Sequence, residues 1–299
     1  MGIIMLSKYI FQKKCNFCKN KNTSIVYELK QQKIVKCSRC GLLYLDKQRI
    51  DLENLYGEDY YMKSESNILA NYSDYEDQEK SVKGNFRFAY KYIAENASQK
   101  KNKLLEIGAG FGYFIKYLPD NIESIAIEVS REAANALQVN TRASIFNGDF
   151  LDINLKSKFD FIVSYDVIEH QIDLARYLNK IRSLLKKDAV AIFTTPDFGS
   201  PINKIFGKNA PLIQPLYHNY YFTKDWFKRN IKSAGYDIVS LRTSYFANSS
   251  IGNIILLGSF AFPFLRKIRI LELAKLFKLT KLTVPFIRFG GIQCILKKV

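Results

Sequence analysis

Leu104-Leu105-Glu106-Ile107-Gly108-Ala109-Gly110-Phe111-Gly112 is an apolar run that ends on an acid and three alternate glycines. It predicts a buried strand that breaks into a sharp turn, because alternate glycines let the backbone bend and let a ligand come close where a side chain would block it. The residues that follow, Tyr113-Phe114-Ile115-Lys116-Tyr117-Leu118, predict a helix packed directly behind the turn. A dinucleotide fingerprint has its third glycine three residues after the second, and that position here is Tyr113. The third glycine is Gly112 instead, so the stretch reads as a nucleoside site with no diphosphate to cradle.

From Lys103 onward strands and helices alternate with short connections, the pattern of a parallel sheet covered on both faces. The second strand, Ser124-Ile125-Ala126-Ile127-Glu128, ends on an acid 22 residues after Glu106. A carboxylate at a strand end next to the glycine turn can accept both hydroxyls of a ribose. A helix over Arg131 to Asn140 leads to Ser144-Ile145-Phe146 and then Asn147-Gly148-Asp149-Phe150, where Asp149 reads equally as a turn acid or a ligand contact. Phe159 to Tyr165 is a further buried strand, and it delivers Asp166-Val167-Ile168-Glu169-His170 to the carboxyl edge, where open α/β sheets bind ligands. After a helix from Leu174 to Leu185 and a strand from Ala189 to Thr195, a loop dense in proline and aromatics runs to Thr223 and carries His218. Long loops of that composition are functional more often than disordered, and this one is expected to face the substrate. Thr223 caps a helix over Lys224 to Ala234 that Gly235 closes, Tyr236 to Thr243 is a strand, and Ile292 to Leu296 is the last.

Near the N-terminus, Cys15-x2-Cys18 and Cys37-x2-Cys40-Gly41 have the two-knuckle spacing of a tetrahedral zinc site. Ser24 to Leu29 and Lys33 to Lys36 have the length of two short strands between the knuckles, as in a zinc ribbon. Four thiolates leave no coordination position for a substrate, so the expected metal is structural. Disulfides are the alternative, opposed by an expected cytoplasmic location and by an unpaired fifth cysteine, Cys294.

The chain has 299 residues, 47% hydrophobic and 24% charged, an ordinary globular composition that excludes disorder. Its net charge of +17 is unevenly spread. Residues 1–50 hold 11 basic and 2 acidic side chains, residues 243–299 hold 9 and 1, and residues 51–242 hold 25 of each. The central region is neutral, so any anionic partner meets the two ends. Between the cysteines and the glycine turn lies an acidic, tyrosine-rich connector, with Tyr60 and Tyr61 candidates for a lid and Tyr75 to Asn96 a helix that packs on the sheet. Thr243 to Leu265 carries no charge but is too polar for a spanning helix. Arg266 to Arg288 alternates Leu, Ile and Phe with Lys and Arg, so residues 243–288 fit either a peripheral element at the inner membrane surface or packing on the domain or a partner.

Glu106, Gly108, Gly110 and Gly112 resemble motif I of the class I methyltransferases, and Asp166 to His170 resembles the post-strand motif of their small-molecule branch. With the Cys15 to Cys40 module, the chain is similar to bacterial class I methyltransferases that carry an N-terminal zinc module, many of which act on sugars of surface polysaccharides. The resemblance implies a Rossmann-like α/β sheet of seven strands with the last antiparallel, a zinc module over residues 1–50, a connector over 51–98 and a methyltransferase domain over 99–299 with a helical insertion at 244–289. It implies S-adenosylmethionine as cofactor, held by Glu106, Gly108, Gly110, Gly112, Glu128 and Asp166, with Asp149 beside the adenine amine and Phe150 near the ring. The expected reaction is O-methylation of a sugar-like small molecule, with His170, His218 or Glu169 taking the acceptor's proton. Related sugar C-methyltransferases continue into a second α/β domain, which disfavours C-methylation. Two rival readings are an rRNA methyltransferase that grips phosphates with its zinc module and basic ends, and a non-catalytic zinc and nucleoside-binding adaptor.

Overall fold

Residues 8–51, 55, 75–210, 212–245, 249–250, 272, 283–284 and 290–299 are described by a computed structural model. The Tyr60-Tyr61 lid and nearly all of the basic amphipathic segment lie outside the described residues.

The N-terminal part is built on β1 (Tyr9–Phe11), β2 (Thr23–Glu28), β3 (Lys33–Cys37), β4 (Leu43–Leu45) and β5 (Lys47–Arg49). β2, β3 and β4 form an antiparallel meander, and β1 pairs with β5. The strands are short, and the apolar residues of β3 and β4 (Ile34, Val35, Leu43, Tyr44 and Leu45) are buried, whereas Ile10 and Phe11 of β1 and Ile25 of β2 are exposed. The meander gains a fourth strand from far along the chain, since Tyr220↔Tyr44 and Tyr221↔Leu43 are antiparallel partners. The cysteine module is therefore completed by the aromatic loop of the larger domain.

Helix α1 (Tyr75–Asn96) buries Phe86, Ala89 and Ile93 against that larger domain. The Tyr90 hydroxyl donates to the Phe114 carbonyl at 2.7 Å, and the two rings stack at 4.9 Å. The alternating elements follow in order: β6 (Asn102–Ile107), β7 (Ile122–Glu128), α2 (Arg131–Asn140), β8 (Ser144–Asn147), β9 (Phe159–Tyr165), α3 (Leu174–Leu184), β10 (Leu185–Pro196), α4 (Pro201–Phe206), β11 (Tyr220–Tyr221), α5 (Lys224–Asn230), β12 (Tyr236–Tyr245), β13 (Ser249–Ser250), β14 (Thr283–Val284) and β15 (Gly290–Lys298). Seven of the strands form one sheet in the order β12-β15-β10-β9-β6-β7-β8. β10, β9, β6, β7 and β8 are parallel, and β15, last in the chain, runs antiparallel between β10 and β12. This is the expected Rossmann-like sheet. β13 and β14 form a separate two-stranded pair.

Three local expectations need correction. After the glycine turn there is only a 3₁₀ turn, Ile115–Tyr117, and not a helix from Tyr113 to Leu118. Pro119 follows Leu118 and holds it in the extended region (ψ 144°), which ends the turn before an α-helix can grow. The loop before Thr223 is not wholly irregular, because Ser200 caps the short helix α4, with Pro201 in its first turn. The helix over Lys224 to Ala234 is α-helical only to Asn230 and ends in a 3₁₀ turn. Its caps are those expected, with Thr223 accepting the Trp226 N–H and Gly235 left-handed.

Candidate active site

β6 and β7 lie side by side and end together, which brings Glu106 and Glu128 to the same edge of the sheet. Both carboxylates are buried. Glu128 holds the turn in place, accepting the Gly110 N–H at 2.8 Å and the Ser130 N–H at 2.9 Å. Glu106 has a buried oxygen, Oε2, with no hydrogen-bond partner. Burial raises the Glu106 carboxyl well above the usual range, and the neighbouring Glu128 raises it further. A buried acid with an unpartnered oxygen suits a cationic or hydrogen-bond-donating ligand.

The three glycines all have positive φ but serve different ends. A Cβ at Gly108 would lie 2.4 Å from Val167 Cγ2, and one at Gly112 would lie 2.4 Å from Leu137 Cδ1 and 2.6 Å from Thr141 Cγ2. Those two glycines are required by packing. A Cβ at Gly110 would meet nothing within 4 Å, so Gly110 faces open space between the two acids.

Asp149 stands at the end of β8, where its Oδ1 accepts the Leu151 N–H at 2.8 Å and burial raises its carboxyl. Phe150 belongs to the core: it is 4% exposed, edge-on to Tyr177 at 5.4 Å, with the Lys180 ammonium 4.8 Å from its ring.

Asp166 follows β9 in a left-handed conformation, φ 51°, which costs a non-glycine residue about 1–2 kcal/mol. Its backbone N–H donates to Thr194 Oγ1 and O, and the Thr194 hydroxyl donates to its Oδ1 at 2.9 Å. Asp166 is open to solvent, yet enough protein surrounds it to raise its carboxyl, as expected of a residue lining a cleft.

Glu169, His170 and His218 converge beside it. Glu169 is 1% exposed, neither of its oxygens has a hydrogen-bond partner, and Oε1 lies 3.8 Å from His170 Nε2. Burial raises its carboxyl well above the usual range, and Asp166 adds repulsion. The two imidazole rings are 4.9 Å apart, and each places Nδ1 against a backbone carbonyl, His170 on Tyr217 at 2.9 Å and His218 on Leu212 at 3.2 Å. Burial pushes His170 down to about 4 even though the carbonyls of Tyr217 and Asp166 favour its charged form. Burial and the neighbouring His170 push His218 down to about 3, so both rings are neutral near pH 7.

Sequence reasoning missed the residues that hold this cluster together. Asn219 donates its backbone N–H to the Glu169 carbonyl and its side-chain amide to the carbonyls of His170 and Gln171. Asn16, between the first two cysteines, donates to the Ile172 carbonyl at 2.7 Å and to the Tyr220 hydroxyl. Only the adjacency of Asn219 to His218, and of Asn16 to Cys15, hinted at either.

The cysteine expectations come together in space. The sulfurs of Cys15, Cys18, Cys37 and Cys40 all lie within 4.8 Å of one another, with Cys15 to Cys40 at 3.7 Å and Cys18 to Cys37 at 3.5 Å. Against the effect of burial, backbone N–H bonds from Cys40 and Arg39 and the Asn20 amide hold the Cys37 thiol down to about 6. Cys294 is buried in β15 and unpaired.

The sheet order, the antiparallel strand inside its edge and the glycine turn between two acids define a class I methyltransferase fold. Residues 82–241, more than half of the chain, match the family described as a methyltransferase domain, and the chain belongs to that family of S-adenosylmethionine-dependent enzymes. No curated protein matches it. Among solved structures, a chain of the complex between the Haloferax volcanii Trm112 methyltransferase activator and a methyltransferase aligns at 14% identity and a TM-score of 0.52, covering 76% of this chain and 95% of that one. The plantazolicin methyltransferase BamL, crystallised with a plantazolicin analogue and S-adenosylhomocysteine, aligns at 19% identity and a TM-score of 0.50, covering 80% and 92%. Magnesium protoporphyrin IX methyltransferase from Synechocystis PCC 6803 aligns at 11% identity and a TM-score of 0.49, covering 80% and 91%. At these identities the likeness to the first two is one of fold.

Proposed function

We propose that this enzyme methylates a hydroxyl of a sugar or related small metabolite, of the kind built into surface polysaccharides. The observation that carries the reading is the open face at Gly110, flanked by the unpartnered Glu106 oxygen and by Glu128, on the same sheet edge as Glu169, His170 and His218.

The residues present fit S-adenosylmethionine. Glu106 offers an acceptor for the methionine ammonium, and Glu128 retains lone pairs for the ribose hydroxyls beyond the two N–H bonds it accepts. Asp149 keeps one oxygen for an adenine amine, and Asp166 lines the cleft nearer the acceptor. When bound, the cofactor supplies a methyl group already activated by its sulfonium. The chain's own tasks are then to orient the acceptor hydroxyl and to take up its proton. Either neutral imidazole can receive a proton at Nε2, since its Nδ1–H is committed to a carbonyl that can only accept.

The cysteine module fits a structural Zn²⁺, because two sulfurs on one tetrahedral zinc at bonds of about 2.3 Å stand about 3.8 Å apart, close to the separations seen here. The role of residues 1–50 in this reading is mechanical: β4 pairs with β11, and β11 continues from His218 and Asn219, so the metal steadies the acceptor side. Among the described residues no helix is long and apolar enough to cross a membrane.

The test is incubation with methyl-labelled S-adenosylmethionine and a panel of nucleotide sugars, oligosaccharides and ribosomal RNA. Label in an alkali-stable methyl ether of a sugar is expected. Label in RNA, or in no hydroxyl compound, would overturn the reading.

A further inference from the structure

We propose that Glu169, His170 and His218 form a second metal site, for a divalent first-row transition ion, distinct from the four-cysteine site. The Glu169 carboxylate and one nitrogen from each ring lie within 4.8 Å of one another at the carboxyl edge of the sheet. The Glu169 carboxyl is 1% exposed and neither oxygen has a hydrogen-bond partner, so it can carry its charge there only when a cation takes the place of its proton. Oε1 lies 3.8 Å from Nε2 of the neutral His170 ring, too long for a hydrogen bond.

The histidines have the arrangement that metal-bound imidazoles show. Each donates Nδ1–H to a backbone carbonyl, Tyr217 for one and Leu212 for the other, which fixes the ring, and in His170 the other nitrogen, Nε2, is the one 3.8 Å from Glu169 Oε1. The carbonyls are held in turn: His218 N–H and Tyr217 N–H both bond the Gln214 carbonyl, and Asn219 clamps the chain at Glu169 and His170. Two ligands on one ion at bonds of about 2.1 Å stand about 3.4 Å apart, so binding draws the three side chains inward by about an ångström.

Two imidazoles and one carboxylate suit ions from Mn²⁺ to Zn²⁺ and not Mg²⁺ or Ca²⁺, which prefer all-oxygen sites. Three protein ligands leave positions open toward the cleft. With the ion bound, both Nε2 atoms are ligands and no longer bases, so an acceptor hydroxyl bound at an open position has its pKa lowered and gives its proton to water in place of the imidazole step. This role rests on the hydroxyl-acceptor reading above. The binding of the ion does not rest on it.

The test is Co²⁺ titration of the full chain, stripped of metal under reducing conditions and followed by absorbance and by metal analysis. Two equivalents are expected per chain. One brings the intense thiolate-to-cobalt charge-transfer absorption of the four-cysteine site, and the other brings weak ligand-field bands without it. Glu169→Gln and His218→Ala should each bind one equivalent and keep the thiolate absorption, which doubles as evidence that the variant is folded. Binding of a single equivalent by the unmodified chain, which needs no variant to interpret, would overturn the proposal, as would two equivalents retained in both variants. Two equivalents with no hydroxyl compound methylated would uphold the site and sink the acceptor reading instead.

Discussion

Replacing each of the three glycines by alanine separates packing from ligand binding. At all three positions alanine must enter the left-handed region, at a cost of about 1–2 kcal/mol. At Gly110 that is the whole cost to the free enzyme, since a Cβ there meets nothing within 4 Å. At Gly108 the new methyl lies 2.4 Å from Val167, and at Gly112 it lies 2.4 Å from Leu137 and 2.6 Å from Thr141. Relieving such overlaps adds about 1–3 kcal/mol, for a total of about 2–5 kcal/mol at either position. The order reverses for cofactor affinity. Gly110→Ala puts a methyl group into the space assigned to S-adenosylmethionine and should weaken binding at least about 100-fold, equivalent to about 2.8 kcal/mol. Urea unfolding of the free variants and calorimetric titration with S-adenosylhomocysteine measure the two effects separately. A Gly110→Ala protein as unstable as Gly112→Ala, or one that binds with unaltered affinity, would refute the reasoning.

Three more outcomes follow from the site. Glu106 has its carboxyl raised by burial and by Glu128, so its contribution to stability is full below the ordinary carboxyl pKa and is lost as pH rises through the raised value. Glu106→Gln should therefore unfold at higher temperature than the parent at pH 8 while binding S-adenosylhomocysteine more weakly, and a lower melting temperature there would count against the assignment. His170 and His218 are pushed down to about 4 and about 3, so the stability they confer is full above about pH 6.5 and is lost as pH falls toward those values. Denaturant midpoints between pH 7 and 4 should fall less steeply in His218→Asn than in the parent, and parallel curves would contradict the burial argument. Cys37→Ser should release one metal ion per chain and, through β4 and β11, raise the KM for the acceptor more than the affinity for S-adenosylhomocysteine falls. An unchanged KM would show that the module does not steady the acceptor side.

Much of this architecture was legible in the sequence because it depends on local pattern. The apolar runs ending at Glu106 and Glu128 are strands joined by a short crossover, so their ends meet, whereas the strand ending at Tyr165 returns past them to pair with the first. Cys15, Cys18, Cys37 and Cys40 meet for the same reason, being paired on knuckles joined by one hairpin. What was not legible depends on contacts distant in the chain. Gly108 and Gly112 look like ligand glycines until Val167, Leu137 and Thr141 are seen pressed against them. Asn16 reaches Ile172 across 156 residues, and β11 completes a sheet that begins at β2, neither of which any local spacing encodes. Phe150, expected near the adenine ring, is instead buried, edge-on to the Tyr177 ring and beneath the Lys180 ammonium, partners 27 and 30 residues further along the chain. The helix expected after Gly112 fails for a local reason that was visible, Pro119, but the apolar residues before it suggested a longer turn than the proline permits.

The central claim is that S-adenosylmethionine sits at the Gly110 turn with its reactive end toward Asp166 and His170. Hydrogen exchange of the full chain, with and without saturating S-adenosylhomocysteine, tests it most directly. The account predicts slowed exchange in the peptides that span 106–113, 128–131, 147–151 and 166–170, with the strands of the cysteine module unchanged. Protection confined to the cysteine module, or none at the glycine turn under conditions where binding is saturated, would contradict it.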